Sequence, residues 1–401
     1  MPHPSIDTAA ALDRYLKLTA VPGRSGEEKL VAETIVQMLV DGGLDPASID
    51  FDDAHQRTRI PGNVGNLIVT LPGDEGLPRT MLSAHMDTVP ICVGCEPIVQ
   101  QDPEFGQVVR SVGDRGLGGD DRAGCAAIAS AILERIRFQA ANPTAKLPPV
   151  VIVFLIQEEV GLEGARHISV DKIGRVDRGF NFDGGTMEMI RHGAIGGERI
   201  DIVVTGHASH AGVAPEKGVS AITIASLAIA RLHADGWLGK VERDGGVGTS
   251  NVGVIQGGDA TNVVTPRLQL RAEARSHDGT FRTRIVNEMR QAFQSASEQV
   301  TDTMGRCGSI QWSSHVDYEA FALSDQHPSV QAAQAALMEM GYQPQCKVAD
   351  GGLDANWLFK HGIEAVTLGC GQAAIHTVDE TLRIDHFLDA CSLATSFVTE
   401  S

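Results

Sequence analysis

Positive charge is scarce in this sequence: 33 lysines and arginines stand against 51 acids, a net charge of −18 over 401 residues. That balance argues against nucleic acid and anionic membrane surfaces as partners, since both are held largely through lysine and arginine. Long apolar runs are missing too. None approaches the ~20 residues of a membrane span, and Met1-Pro2-His3-Pro4 has neither the charged nor the apolar region of a secretory leader. Nor is there a disulfide framework, because the seven cysteines (92, 95, 125, 307, 346, 370, 391) are odd in number and scattered. A reducing, cytoplasmic setting is expected. Cys92 and Cys95 have half the spacing of a zinc knuckle, but no second such pair completes four ligands, so both read as loop thiols. Internal repeats and low-complexity tracts are also absent.

What is present is enough apolar material, 42% of residues, for sizeable cores, in a chain long enough for two domains. Residues 6 to 42 carry helical spacing, with Ser25-Gly-Glu-Glu28 resembling a helix start. Strands are expected at 66–71 and 79–83, a helix at about 122–136, a fully buried strand at 147–156 and a short one at 178–185. After Gly193 the pattern changes to alternating strands at 198–205, 250–255 and 267–276, with helices at about 220–233 and 278–299. This β-α-β-β-α order suggests a small open sheet with two helices on one face. It reads as an insertion, residues 195–308, into a domain made of 1–194 and 309–401. The last part returns to strand, helix (about 329–340) and strand.

The chemistry lies at the strand ends. Ser83-Ala-His85-Met-Asp87-Thr-Val-Pro90 puts an imidazole and a carboxylate two residues apart, on one side of an extended segment. Alone the pair says little, because a lone histidine is usually structural. A glycine-rich loop, 112–121, ends in Asp120-Asp121 before a helix. Two acids would repel a phosphate there, so the glycines are better suited to turning the backbone and projecting a carboxylate at a cation; a plain helix cap is the alternative. The buried strand at 147–156 runs into Glu158-Glu159, costly unless something cationic meets them. If the strand continues through them, their side chains face opposite ways and hold different jobs. Asp183 before paired glycines, and His376 in Ile-His-Thr, complete the set. Two imidazoles and three carboxylates suit zinc, with cobalt or manganese as alternatives, and two such cations need a shared carboxylate.

Together SAHMDTVP, GGDDRAG, QEEVGLEGA, NFDGG and IHT, with HASHAG between, resemble the di-zinc aminopeptidases of the peptidase T family. More widely the chain is similar to the superfamily of carboxypeptidase G, aminoacylases and succinyl-diaminopimelate desuccinylase. The resemblance covers nearly the whole chain. It implies an α/β fold, a mixed, largely parallel sheet sandwiched by helices, with the insertion as a lid that in many relatives is also a dimerisation domain. It implies two zinc ions per subunit: His85 and Asp183 on one, Glu159 and His376 on the other, Asp120 bridging. Asp87 would orient His85, and Glu158 would take a proton from a metal-bridging hydroxide's parent water and pass it to the leaving amine. His210 would donate to the oxyanion, Asn262 and Arg275 would hold the substrate's carboxylate or backbone, and Gly351 and Gly352 would let backbone approach it. His207 matches no such position. Arg122 stands where many relatives carry lysine.

The implied activity is cleavage of short peptides from a free amino terminus, by a homodimer or a monomer. The alternatives are an N-acyl-amino-acid amidohydrolase or carboxypeptidase using the same metals, and a catalytically dead metal-binding protein. Glu158 argues against the last. A dinucleotide-binding reading of the loop at Gly116–Gly119 fails on spacing and on its two terminal acids.

Overall fold

A computed structural model describes residues 6–400, so the leader expectation attached to Met1–Pro4 lies outside the described residues. Two compact units emerge, one from the chain up to Gly193 and from Ala322 onward, the other Ala194–Phe321. No helix among the described residues is long and apolar enough to cross a membrane.

The first unit is built on a nine-stranded mixed sheet. Its order is Ile49–Phe51, Leu67–Leu71, Val150–Leu155, Thr80–His85, Arg178–Gly184, Ala365–Gly369, Met189–Ala194 and Phe321–Ala322, with Gln345–Ala349 added to Met189–Ala194. The four inner strands, from Val150–Leu155 to Ala365–Gly369, are parallel to one another. Every residue of Val150–Leu155 is buried, as its unbroken apolar run requires, because helices cover both faces. Helices Thr8–Ala20, Gly119–Ala141 and Ile384–Thr399 pack together against Thr80–His85 and Arg178–Gly184. Elsewhere Ile168, Ile173, Leu358 and Ile363 join Ile68, Met81, Val151, Val153 and Leu155 in a second core. Parallel strands bring their carboxyl ends to one side, and there the loops after His85, Leu155 and Gly184 meet.

The second unit is a five-stranded antiparallel sheet, ordered Gly239–Arg243, Gly246–Gln256, Arg267–Ser276, Gly196–Thr205, Ser309–Tyr318. Ile200, Ile202, Val204, Leu268 and Leu270 form one core with Ile224, Ala228 and Leu232 of helix Ala221–Ala234 and Ile285, Met289 and Phe293 of helix Gly279–Gln299. The expected boundary at 308 is corrected. Strand Ser309–Tyr318 pairs along Gly196–Thr205, and its Trp312 packs on the same core, so this unit runs to Phe321. The strand Gly239–Arg243 was not expected either; only Val241 of its five residues is buried, which leaves little apolar signal.

The helix expected from about 122 to 136 does turn regular after the non-helical Asp120 and Asp121, and it runs on to Ala141. Ser25 does not start a helix: Lys29–Asp41 has Glu28 at its N-cap with no side-chain cap bond, and Ser25 is used elsewhere. Phe180, fully buried on the strand leading to Asp183, stacks on Phe397 with ring centroids 3.7 Å apart. Phe180→Ala is expected to cost about 3–5 kcal/mol, read in urea as a lower midpoint with an unchanged slope.

Candidate metal centre

His85 is the last residue of its strand and is almost fully buried. Its Nε2 lies 3.1 Å from Asp120 Oδ1 and 3.8 Å from Asp183 Oδ1. On the other side of the ring, Nδ1 faces the Asp87 carbonyl oxygen at 3.1 Å and Asp87 Oδ1 at 3.4 Å. Asp87 is itself held by three donors: the backbone N–H groups of Glu158 and Glu159, at 2.9 and 3.3 Å, and the Ser25 hydroxyl at 2.6 Å. That network fixes the imidazole's orientation and leaves Nε2 aimed at the two acids.

Asp120 is placed by the glycine loop. Gly118 takes φ +72, a left-handed turn that costs glycine nothing. Gly124, a turn further on, is where the helix meets the strand: an added Cβ would lie 1.9 Å from the Phe182 carbonyl oxygen. The buried Glu380 then pins the loop from beneath, accepting from Gly118 N at 2.7 Å and from Asp120 N at 3.1 Å. Gln372 adds an amide to Asp120 Oδ1 at 3.4 Å. Asp121 is no solvated cap: it is fully buried and accepts from His85 N and Gly124 N.

The other oxygen of Asp120 lies 3.2 Å from His376 Nε2, and the same nitrogen is 2.9 Å from Glu159 Oε1. His376 sits at φ +64, unusual for a residue with a side chain and common at functional sites. Gln157 at φ +52 performs a similar turn before the glutamates. Its N–H donates to the buried Glu28 carboxyl at 3.0 Å. The strand therefore ends at Leu155, and the expectation that Glu158 and Glu159 point apart by strand alternation is corrected. They differ for another reason: Glu159 is bonded to His376, whereas the half-buried Glu158 carboxyl accepts no bond among the described residues.

Five side chains expected to hold metal thus fall into two groups, His85 with Asp120 and Asp183, and Asp120 with Glu159 and His376. Ligand atoms within each group lie within 4.8 Å of one another, and Asp120 belongs to both. Charge describes the same place. Burial pushes the Asp183 carboxyl well up, helped by Asp121 and Asp120, and burial does the same to Glu158. Hydrogen bonds to Asp120 and Glu159 push His376 up to about 10, so imidazolium supplies positive charge that the acids need. The nearest guanidinium in sequence, Arg122, is buried and spent on the Leu18 and Gly23 carbonyls. Mixed imidazole and carboxylate donors, crowded, buried and short of cations, fit divalent transition metals.

Of the remaining candidates, three belong to the inserted unit and two to the loop before helix Asp354–Lys360. His210 and Asn262 are neighbours in the inserted unit, where Ala211 N donates to Asn262 O and His210 bridges Val263. Arg275 is not with them. It sits opposite Gly197, whereas the His210 loop follows Thr205, opposite Arg267, on the order of 25 Å along the strand at ~3.3 Å per residue. There it holds Glu273 through two bonds of 3.1 Å. Gly351 is exposed, with open space where a Cβ would go, and Gly352 adjoins it. Sequence reasoning missed Glu380, Gln372, Ser25, Glu28 and Asp354. Asp354, two residues after Gly352, is fully buried with both carboxyl oxygens unpartnered, and burial pushes it up to about 7.

Comparison with known proteins gives two family models: the peptidase dimerisation domain over residues 191–301 and peptidase family M28 over 66–192. A protein of Bacillus subtilis, YqjE, is 30% identical over 97% of this chain and 98% of its own. The solved structure of a Staphylococcus aureus tripeptidase is similar at a TM-score of 0.86, with 27% identity over 98% of each chain. That of the aminopeptidase PepT from Bacillus cereus is similar at 0.82, with 29% identity over 98% of this chain and 99% of its own.

Glu28 offers a pH test of the site's scaffold. Burial, with Asp87 nearby, raises its carboxyl from 4.5 to about 7, so the folded state holds a proton that the unfolded chain releases. Its contribution is present below pH 4.5 and is lost as pH rises toward 7. Glu28→Gln is expected to flatten that part of the profile and to stabilise the protein at pH 8, measured by urea unfolding across the range.

Proposed function

The chain belongs to the peptidase T-like branch of the M20 peptidase superfamily, and on that premise we propose that it is a metal-dependent hydrolase of short peptides, an aminopeptidase. One observation carries the reading: two ligand groups share Asp120 beside a half-buried, unbonded Glu158. We assign His85, Asp120 and Asp183 to one cation and Asp120, Glu159 and His376 to the other, zinc by donor type, with cobalt or manganese able to replace it. Held by these residues, two such ions would lower the pKa of a water and polarise the scissile carbonyl.

The side chains do the rest. Asp87 keeps His85 Nε2 directed inward. Glu158 takes the proton of the attacking water and delivers it to the leaving amine. His210 and Asn262 are assigned to substrate binding, His210 as donor to the oxyanion, where one donor is worth ~3 kcal/mol. Arg275 takes a substrate carboxylate only by leaving Glu273. Gly351, with open space where a Cβ would go, leaves room for substrate backbone, and Gly352 is assigned beside it. The match to a peptidase dimerisation domain supports a homodimer through the inserted unit, and seven free cysteines suit the cytoplasm.

Chelation is expected to abolish hydrolysis and zinc, cobalt or manganese to restore it. Glu158→Gln should retain its metal, counted by elemental analysis, while kcat falls at least a hundredfold; full activity in that variant removes the relay. A panel of di- and tripeptides, blocked at either terminus, beside N-acyl amino acids tests the substrate: cleavage should need a free amine, and hydrolysis of N-acyl compounds alone overturns the aminopeptidase.

A further inference from the structure

A third set of ligand-type side chains lies in the first unit, apart from both groups above. His192 stands on strand Met189–Ala194, Cys346 on the neighbouring strand Gln345–Ala349, and Asp325 just beyond Leu323. Their imidazole, thiol and carboxylate atoms lie within 4.8 Å of one another. Backbone bonds hold the three segments in place: Leu323 N donates to His192 O, and Gln345 N to Glu188 O, each at 2.7 Å. His192 Nδ1 is buried and has no hydrogen-bond partner. Asp325 Oδ1, on a largely exposed side chain 3.5 Å away, pairs with it only when the imidazole is protonated. On the far side the Gln334 amide donates to Cys346 Sγ at 3.3 Å, which orients the sulfur.

We propose that His192, Asp325 and Cys346 form a separate site for one zinc-class ion. The buried imidazole nitrogen without a hydrogen bond is the strongest sign, since such a polar atom is costly unless something fills its place. Thiolate with imidazole selects zinc or cobalt over magnesium or calcium, and three protein ligands leave the fourth tetrahedral position to water. On binding, the Cys346 S–H bond gives its proton to solvent and a metal–sulfur bond forms, with no change of oxidation state. Such an ion ties together three stretches distant in sequence, two of them beside Gly193 and Ala322, where the chain leaves and re-enters this unit. Its role is a clasp rather than catalysis.

Cobalt distinguishes this site from the other, whose assigned ligands include no sulfur. The full chain, stripped by chelator and reloaded with Co2+, should show a thiolate-to-cobalt charge-transfer band in the near ultraviolet. One more ion should bind than the two groups around Asp120 take up. Cys346→Ser should lose that band and one ion and keep peptidase activity; His192→Gln should lose the band as well. Asp120→Ala should lose the other ions and keep the band, so failure of the peptidase assignment leaves this result unaffected. Absence of the band from the reloaded wild type, or its survival in Cys346→Ser, overturns the clasp.

Discussion

One carboxylate, that of Asp120, faces an imidazole with each oxygen, His85 on one side and His376 on the other. Everything nearby serves that placement. Gly118 turns the chain, Glu380 fastens the two amides that bracket the turn, and Gly124 lets the helix lie close enough to the strand for Asp120 to reach. His376 is supplied from the other end of the sequence, and the segment that carries it continues directly to Glu380. The same short stretch therefore provides a facing ligand and the brace of the loop it faces.

Such a placement is electrostatically expensive. Asp120, Asp121 and Asp354 are buried beside the partly buried Glu158 and Asp183, and burial pushes all but Asp120 toward the protonated form. Of the five, only Asp120 is held below the usual carboxylate range, because bonds to His376 and His85 outweigh its burial. A protein interior tolerates this concentration of acid where cations of higher charge than an imidazolium are to be held. The buried guanidinium of Arg122, which could have neutralised the cluster, instead ties the first helix and its following turn to the site helix.

Much of this was readable from residues alone, since acids and imidazoles at the ends of apolar strands leave few structural uses. The fully buried strand and the small open sheet of the insertion followed from continuous against alternating apolar patterns, while the largely parallel sheet was implied by the family resemblance. What stayed hidden depended on three dimensions. Glu380 is one acid among many in Val-Asp-Glu-Thr until its oxygens are seen beneath the glycine loop. Alternation identified Ser309–Tyr318 as a strand but could not say which sheet it joins. Ser25 has the chemistry of a helix cap, and only the fold shows its hydroxyl on Asp87. Arg275 and Glu273, two apart on one strand, share a face, and that pairing was open to a local rule that was not applied.

The strand Ala365–Gly369 lies between Arg178–Gly184 and Met189–Ala194. During synthesis the ribosome therefore releases two strands whose intervening partner has not yet been made, and must first complete the entire insertion. Until then the nascent sheet keeps an open seam beside Phe180 and Phe182, the kind of edge that invites mispairing with another chain. The insertion, with a sheet and core of its own, can fold during that wait. Assembly of the hydrolytic centre is then among the last events in the life of the new polypeptide, and no half-made chain possesses it.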